Sequence, residues 1–331
     1  MISFQNIRKK HIPKEKQMKK KITILMIALL LITLFVTVGC KKEEAAAPAA
    51  PVAAVAEKKV EAAKPALDKE ALLLAKAKEY FVATATNNNL IKPADVNSML
   101  TDNPDAQIII DIRSAADFEK GHIAGAYHSE WAALKDVMEH IPTNRQVVVT
   151  CYSGQTAGQA VGALRLAGFN NVKSLQGGMN NGWVKAGLPA DETGMRELSS
   201  RPKSTSPKTD EDKALWEAAG TAFASVAKDG SKLIDGQALY DALQTNPKAF
   251  TVVDIRSAED YQKGHIEFSK HSAWAEFGNM IPSLPKNGKI VVTCYSGQTA
   301  GQTVGVLRAL GYDAYSLKGG MGGWTNLPTV Q

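Results

Sequence analysis

The chain carries one twelve-residue segment twice. VVTCYSGQTAGQ stands at residues 148–159 and again, without a change, at residues 291–302, which is 143 positions later. Each copy contains a cysteine, Cys151 in the first and Cys294 in the second. The fold must therefore offer the same local setting to this segment in two places.

Other segments match at nearly the same offset. Residues 90–100 correspond to 233–243, 108–123 to 250–266, and 174–183 to 316–324. A period this long indicates duplicated domains, because the units of solenoid proteins are about 20–50 residues long. We predict a first domain over residues 68–190, a polar linker over 191–212 and a second domain over 213–331.

The apolar pattern of each repeat is typical of an α/β fold. IIIDI (108–112) and QVVVT (146–150) are short, continuous apolar runs, as in strands that a parallel sheet buries on both faces. Residues 69–83 are rich in Ala and Leu and predict a helix, and so do residues 155–167, which end before Gly168. Strands that alternate with helices predict a parallel sheet flanked by helices in each domain.

The beginning of the chain has the layout of a bacterial export signal. After Met18, the more natural start of such a signal, three lysines precede 17 uncharged residues, 22–38. The following TVGC is similar to the lipobox of bacterial lipoproteins, whose cysteine, here Cys40, receives lipid and becomes the mature N-terminus. The alternative is an uncleaved membrane anchor, because 17 apolar residues approach a spanning length. Both interpretations place the rest of the chain outside the cytoplasm.

We therefore predict a signal peptide over residues 1–39 and an exported, membrane-anchored lipoprotein that faces the periplasm or the cell exterior. Residues 40–67 contain the lipidated cysteine and a tether of mostly Ala, Pro, Lys and Glu, which cannot bury a core. The leader also explains the net charge of +6. Without residues 1–39 the chain has 31 basic and 32 acidic residues, so no nucleic-acid partner is expected.

The repeated segment has the order buried strand, cysteine, polar loop and helix. Cys151 and Cys294 thus come at the carboxyl ends of parallel strands, where open α/β sheets form their sites. The loop YSGQT leads into a helix N-terminus, whose N–H groups and dipole attract anions and favour a thiolate. The pattern predicts a nucleophile and an anion receptor at one point. The alternatives are a small buried hydrophobic residue and a disulfide between the two repeats.

The series DIRSAADFEKGHIAGA, VVVTCYSGQTAGQA and LQGGMNNGW resembles the rhodanese domain, a sulfurtransferase module, over about residues 84–188 and 227–328. The resemblance implies an α/β fold in which the loop cysteine takes a sulfane sulfur from a donor and passes it to a thiophilic acceptor. Donors would be thiosulfate, polysulfide or mercaptopyruvate, and acceptors a thiol or cyanide. Such covalent catalysis needs neither a metal nor an organic cofactor.

By the same resemblance Cys151 and Cys294 are the catalytic sulfur carriers. The substrate-binding loops would consist of Tyr152, Ser153, Gly154, Gln155 and Thr156 in the first repeat and of Tyr295, Ser296, Gly297, Gln298 and Thr299 in the second. Other signatures are predicted to be structural: ion pairs of Asp111 with Arg113 and of Asp254 with Arg256, backbone-bonded His122 and His265, and Trp183 and Trp324 in the core.

The two repeats also depart from the family pattern. Repeat 2 has GHIEFSK where repeat 1 has GHIAGAY, repeat 1 has one extra residue between its GG pair and Trp, and neither cysteine loop contains Lys or Arg. A phosphatase or arsenate reductase would need Arg at positions 157 and 300, and both are Ala. The remaining alternative to a sulfurtransferase is a non-catalytic sulfur- or anion-binding and delivery module at the cell envelope. We expect two working sites, the second slower because of its altered GHI flank.

Overall fold

The structure is a computed structural model that describes residues 66–331. The predicted export signal, Cys40 and nearly all of the tether lie outside these residues. Within the described part of the chain, no helix has the length and the hydrophobicity that a membrane span requires.

Each repeat builds one five-stranded sheet, and the strands are β1 Leu90–Ile91, β2 Gln107–Asp111, β3 Tyr127–His128, β4 Gln146–Thr150, β5 Val172–Leu175, β6 Leu233–Ile234, β7 Thr251–Asp254, β8 Lys270–His271, β9 Lys289–Thr293 and β10 Asp313–Leu317. All strand pairs are parallel. The orders are β1-β5-β4-β2-β3 and β6-β10-β9-β7-β8, so the repeats share one topology. The predicted fold class, two parallel sheets flanked by helices, is confirmed.

The α-helices are α1 Lys69–Ala83, α2 Pro93–Asp102, α3 Ala115–Lys120, α4 Leu134–Val137, α5 Gln155–Leu166, α6 Asp210–Asp229, α7 Gly236–Thr245, α8 Ala258–Lys263, α9 Phe277–Met280 and α10 Gln298–Ala309. The helix predicted over residues 69–83 is confirmed. Helix α5 ends just before Gly168, whose φ of 96° is readily adopted only by a residue without a side chain.

The apolar runs are continuous because the sheet is covered on both faces. In β2, Ile108 and Ile110 point into a large core to which both repeats contribute. Ile109, between them, points into a second core that consists of repeat 1 residues only. Alternate side chains of one strand therefore face two apolar layers. Repeat 2 has a separate outer core of its own in the same way.

The first helix of each repeat packs against the other repeat. Helix α1 precedes repeat 1, but its Phe81 ring lies 5.0 Å from the ring of Phe277 in α9. Helix α6 precedes repeat 2, but its Trp216 ring lies 5.2 Å from that of Phe169 in repeat 1. The two repeats thus exchange their first helices, and this exchange joins both sheets in one shared core.

The helices that follow the cysteines, α5 and α10, pack directly on each other through glycine. A Cβ atom built on Gly158 would lie 2.6 Å from the carbonyl oxygen of Gln298. One turn further on, Gly162 lies against the carbonyl of Gln302. Because both contacts advance in the same direction, the helices run parallel and begin at the same end. Gly301 and Gly305 make the reciprocal contacts with the carbonyls of Gln155 and Gln159.

Residues 191–212 lie on repeat 1 for part of their length. The His128 N–H donates to the Arg196 carbonyl at 2.7 Å, and the Gly125 N–H donates to Glu192 Oε2 at 2.7 Å. Leu198 is fully buried. Residues 192–198 are therefore attached to repeat 1, and helix α6 begins at Asp210.

Candidate active site

Both cysteines follow the middle strand of their sheet, at its carboxyl end. Cys151 comes after β4 and Cys294 after β9, and only 1% and 2% of their surfaces are exposed. Both thiols are free. Each buried strand thus ends in a sulfur atom enclosed by the loop that follows it.

The hydrogen bonds to each sulfur come from backbone amides of the following loop and helix. We call residues 151–157 and 294–300 the cysteine loops. The Gly154 N–H lies 3.1 Å from Cys151 Sγ and the Ala157 N–H 3.2 Å from it. Within residues 66–331, no charged side chain is hydrogen-bonded to this sulfur. Amide donors at a helix N-terminus stabilise a thiolate over a thiol.

Repeat 2 reproduces this arrangement. Cys294 Sγ accepts from the Gly297 N–H at 3.1 Å and from the Ala300 N–H at 3.4 Å. Gly297 has a φ of 88° and Gly154 a φ of 85°, a left-handed conformation that turns the loop into the helix and strongly favours glycine. Ala300, like Ala157, lies one residue beyond the predicted substrate loop. An alanine side chain at this position gives no indication that the backbone amide donates to the sulfur.

The loop tyrosines bind neighbouring carboxylates. Tyr152 is 41% exposed, and its hydroxyl donates to Asp117 Oδ2 at 2.6 Å, which lowers the pKa of that carboxyl. Tyr295 donates to Asp260 Oδ2 at the same distance and is the largest of the causes that lower the pKa of Asp260 to about 2. Each tyrosine therefore holds an ionised carboxylate beside its cysteine loop.

The other predicted loop side chains divide into two groups. Ser153, Thr156, Ser296 and Thr299 are partly or fully exposed, whereas Gln155 and Gln298 are buried. The Gln155 side chain leaves its own loop and donates to the Leu317 carbonyl of repeat 2 at 2.8 Å. Of the predicted loop residues, Gly154 and Gly297 donate to their own cysteine, whereas Gln155 and Gln298 send their side chains to the opposite repeat.

A glycine pair packs on the back of each cysteine loop. We call residues 176–180 and 318–322 the glycine turns. The Met179 N–H donates to the Cys151 carbonyl at 2.7 Å, and the Asn180 N–H donates to the Tyr152 carbonyl at 2.8 Å. A Cβ atom on Gly178 would lie 2.5 Å from the Cys151 oxygen. This close approach explains why the GG pair stands in both repeats.

The extra residue of repeat 1 is absorbed next to this turn. Residues Gly178–Val184 form a π-helix, whereas repeat 2 has a 3₁₀-helix over Gly320–Gly323. The hydrogen bonds of a π-helix span one residue more than those of an α-helix, so this helix can take up an inserted residue. Trp183 and Trp324 are accordingly both buried, at 1% and 3% exposure, and their prediction as core residues is confirmed.

The remaining signature residues have structural partners, as predicted. Arg113 Nε and Nη2 donate to the Asp111 carboxylate at 2.9 and 2.7 Å, and Arg256 binds Asp254 in the same way. Ring nitrogens of the two GHI histidines lie within hydrogen-bond distance of backbone carbonyls, at 2.8 Å for His122 and 2.9 Å for His265. None of these side chains is hydrogen-bonded to a cysteine.

The chain has relatives among known proteins. The sequence pattern of the family "Rhodanese-like domain" matches residues 92–186 and 236–327. A protein named "Sulfurtransferase" from Allochromatium vinosum is 33% identical over 101 residues, which cover 30% of this chain and 92% of that protein. The "Thiosulfate sulfurtransferase GlpE" of Ectopseudomonas mendocina is 35% identical over 71 residues, which cover 22% of this chain and 65% of that protein. This chain therefore spans just under two thirds of the latter protein's length.

Among solved structures, SseA of Escherichia coli, described as a 3-mercaptopyruvate sulfotransferase, is 19% identical to this chain. The alignment covers 70% of this chain and 97% of that one, with a TM-score of 0.34.

Proposed function

Since the chain belongs to the rhodanese-like domain family, with two family domains in tandem, we propose that it is a sulfurtransferase that carries sulfane sulfur on Cys151 and Cys294. The pair of amide N–H groups 3.1 and 3.2 Å from Cys151 Sγ is the observation that carries this proposal. These donors lie where negative charge on sulfur would have to be stabilised. The proposed reaction needs no cofactor.

The proposed reaction has two steps. With thiosulfate as donor, the cysteine thiolate attacks the sulfane sulfur, the sulfur–sulfur bond of thiosulfate breaks, and sulfite leaves with the electron pair. A cysteine persulfide remains. An acceptor thiolate or cyanide then attacks the outer sulfur, and the cysteine leaves as a thiolate, which closes the cycle. The amides of the cysteine loop stabilise the thiolate at the beginning and at the end.

The donor is best sought by direct comparison. The bonds to sulfur come from neutral amides, and an ionised carboxylate adjoins each loop through Tyr152 and Tyr295. An anionic donor such as thiosulfate would be held by N–H groups and the helix dipole, since no cationic side chain within residues 66–331 is hydrogen-bonded to either sulfur. The carboxylates of Asp117 and Asp260 are themselves paired with Lys120 and Lys263. Rates with thiosulfate, mercaptopyruvate and polysulfide, measured with cyanide as acceptor, separate these donors.

The decisive experiment compares the full chain with Cys151→Ser, Cys294→Ser and the double variant. Each wild-type cysteine should gain one sulfur atom in mass on incubation with a donor, and cyanide should remove it. Each single variant should keep substantial turnover and the double variant none. An unchanged mass with every donor would refute sulfur carriage. Loss of all turnover in one single variant would refute two independent sites.

One observation favours the alternative of a binding and delivery module. The two thiols are only 1% and 2% exposed, so a carried sulfur would be shielded from free acceptors in solution. The same experiment distinguishes the two functions. A delivery module would load sulfur stoichiometrically but release it to small thiols or cyanide no faster than a free persulfide does.

We further propose that the protein is anchored to the membrane through lipid on Cys40 and faces the periplasm or the cell exterior. The predicted export signal and the TVGC sequence support this proposal. Metabolic labelling with a palmitate analogue tests it, since the label should appear on the wild type and disappear in Cys40→Ala. A label that persists in this variant would place lipidation elsewhere.

A further inference from the structure

The glutamine at the start of each cysteine-loop helix is bonded to the opposite repeat. Gln298 begins helix α10 of repeat 2, yet its Oε1 accepts from the Gly177 N–H of repeat 1 at 3.0 Å. Its Nε2 donates to the Leu175 carbonyl, also of repeat 1, at 3.2 Å. Gln298 is 5% exposed; its bond to the Leu175 carbonyl is buried and its bond from the Gly177 N–H partly buried.

Gln155 makes the same bonds in the other direction. Its Oε1 accepts from the Gly319 N–H at 3.1 Å, and its Nε2 donates to the Leu317 carbonyl at 2.8 Å and to Ser316 Oγ at 2.6 Å. The exchange is therefore reciprocal. Each repeat both supplies one glutamine and receives one.

The segment that receives the glutamine is the glycine turn behind the cysteine loop. Gln298 holds this turn at Gly177, and the next residue, Gly178, lies directly on the loop. A Cβ on Gly178 would come within 2.5 Å of the Gly154 nitrogen, the atom that donates to Cys151 Sγ. A shift of the turn would thus act directly on a donor to the sulfur.

The glutamine also contacts the cysteine loop itself. A Cβ atom built on Gly154 would lie 2.8 Å from Gln298 Cδ, so the amide of repeat 2 fills the space above the donor glycine of repeat 1. The corresponding distance from Gly297 to Gln155 Cδ is 2.6 Å. Each glutamine therefore supports the donor glycine from one side and its glycine turn from the other.

We propose that Gln298 is a positioning residue for Cys151, and Gln155 for Cys294. Each glutamine serves the cysteine of the opposite repeat and not the cysteine four residues before it. The catalytic part of this inference rests on the proposed sulfurtransferase function, whereas its effect on thiol reactivity does not. Removing the Gln298 amide leaves the partly buried Gly177 N–H and the buried Leu175 carbonyl without this partner, and the turn is free to shift.

A crossed experiment on the full chain tests the proposal. In the Cys294→Ser background, where Cys151 is the reporting thiol of the described domains, Gln298→Ala is compared with Gln155→Ala. In the Cys151→Ser background the same two substitutions are compared at Cys294. The readouts are the rate and pH profile of iodoacetamide alkylation of the reporting cysteine, followed by mass spectrometry of its peptide, and sulfur transfer from thiosulfate to cyanide.

We expect Gln298→Ala to slow both reactions at Cys151 about tenfold or more, because a displacement of ~1 Å in a site can cost ~100-fold in rate. Gln155→Ala should slow the reactions at Cys151 much less than Gln298→Ala does, because the Gln155 side chain leaves the loop of Cys151 and binds repeat 2. At Cys294 the two substitutions should exchange their effects. A general loss of stability would affect both thiols alike and cannot produce this crossed pattern.

The next pair of glutamines along the helices provides a matched control. Gln302 is fully buried and also crosses to repeat 1, but it binds Tyr80 and the Asn88 carbonyl and not the glycine turn. Gln302→Ala should therefore lower stability without selective loss at Cys151. Gln159, which donates to the Ser231 carbonyl, is its counterpart for Cys294.

The outcomes separate the two proposals. Equal losses at both cysteines, losses at the cysteine of the glutamine's own repeat, no loss, or an equal loss in Gln302→Ala would each overturn the positioning role. If neither the wild type nor any variant transfers sulfur but alkylation shows the crossed pattern, the proposed function fails and the positioning role stands.

Discussion

Gly158→Ala, which places one methyl group between α5 and α10, should destabilise the protein, although replacing glycine by alanine stabilises most helices. Gly→Ala within a helix usually gains about 1 kcal/mol, because alanine has the higher helix propensity. At Gly158, however, the new Cβ would lie 2.6 Å from the Gln298 carbonyl oxygen, whereas ordinary contact begins at 3.4 Å. The partner is backbone, so the helices would have to separate by about 0.8 Å.

The size of the effect follows from this separation. Overpacking of this kind costs about 1–3 kcal/mol. The opening also stretches the bonds that Gln155 and Gln298 make across the interface, each of which contributes about 1 kcal/mol. After subtraction of the helix-propensity gain of ~1 kcal/mol, Gly158→Ala should lower the free energy of unfolding by about 2 kcal/mol.

Gly220 in α6 is the matched control. A Cβ there would meet only the Lys135 Cβ, at 3.8 Å, so Gly220→Ala should stabilise the protein by about 0.5–1 kcal/mol. Urea unfolding followed by circular dichroism measures both variants. Their midpoints should lie on opposite sides of the wild-type midpoint and roughly 1 M apart from each other. Gly158→Ala with a midpoint equal to or above that of Gly220→Ala would refute the backbone contact between the two helices.

Three further predictions concern the repeats separately. Gly178→Ala should slow sulfur loading at Cys151 about tenfold or more and leave loading at Cys294 unchanged, because the new Cβ would lie 2.5 Å from the Cys151 carbonyl oxygen. Mass spectrometry of the two cysteine peptides measures both loading rates, and equal rates would contradict the prediction. Phe268 is 52% exposed and has a φ of 66°, a left-handed conformation, at the position where repeat 1 has Gly125. Phe268→Gly should therefore raise the free energy of unfolding by about 0.5–1 kcal/mol in urea, and a lower midpoint would show that this conformation is not strained. Several hydrogen bonds, of which that from Tyr295 is the largest cause, hold the pKa of Asp260 at about 2, below its usual 3.8, so their contribution is complete above pH 3.8 and is lost as the pH falls through 2. Tyr295→Phe should raise the pKa of Asp260 in an NMR titration, and an unchanged value would exclude Tyr295 as a cause.

The sheets could be predicted because their signal is local. The apolar run at residues 146–150 needs cover on both faces, and that alone indicates a buried parallel strand. The exchange of α1 and α6 could not be predicted in this way. The pattern of residues 69–83 indicates a helix with an apolar side, but it contains no information on which of two similar repeats that side will contact.

The candidate site was predictable at its cysteines and less so around them. Cys151 and the loop after it follow from the order strand, cysteine, loop, helix. The Ala157 amide and the direction of the Gln155 side chain do not, because a backbone donor has no residue type and a side chain's partner in another domain leaves no local pattern.

The structure also offers a second reason for the identity of the two loops. Gly158 and Gln159 lie in an interface in which the segment packs against its own copy, so a change in one repeat would require a matching change in the other. The identity of Gln155, Gly158 and Gln159 therefore does not by itself require two working sites. That expectation depends on the cysteine loops, where Tyr152 and Ser153 are exposed or partly exposed and take no part in the helix contact.

The exchanged first helices have a consequence for the ancestry of the chain. The contacts of Gln155 with Gln298's repeat, and those of the helix glycines with the opposite helix, occur twice with the partners interchanged. This reciprocity is the property of an isologous interface in a twofold dimer. A single repeat that keeps its own first helix contains every surface needed to form the same assembly from two separate copies. The duplicated gene would then have converted a homodimer into one chain, and the segment between the repeats would have replaced a subunit boundary by a covalent link.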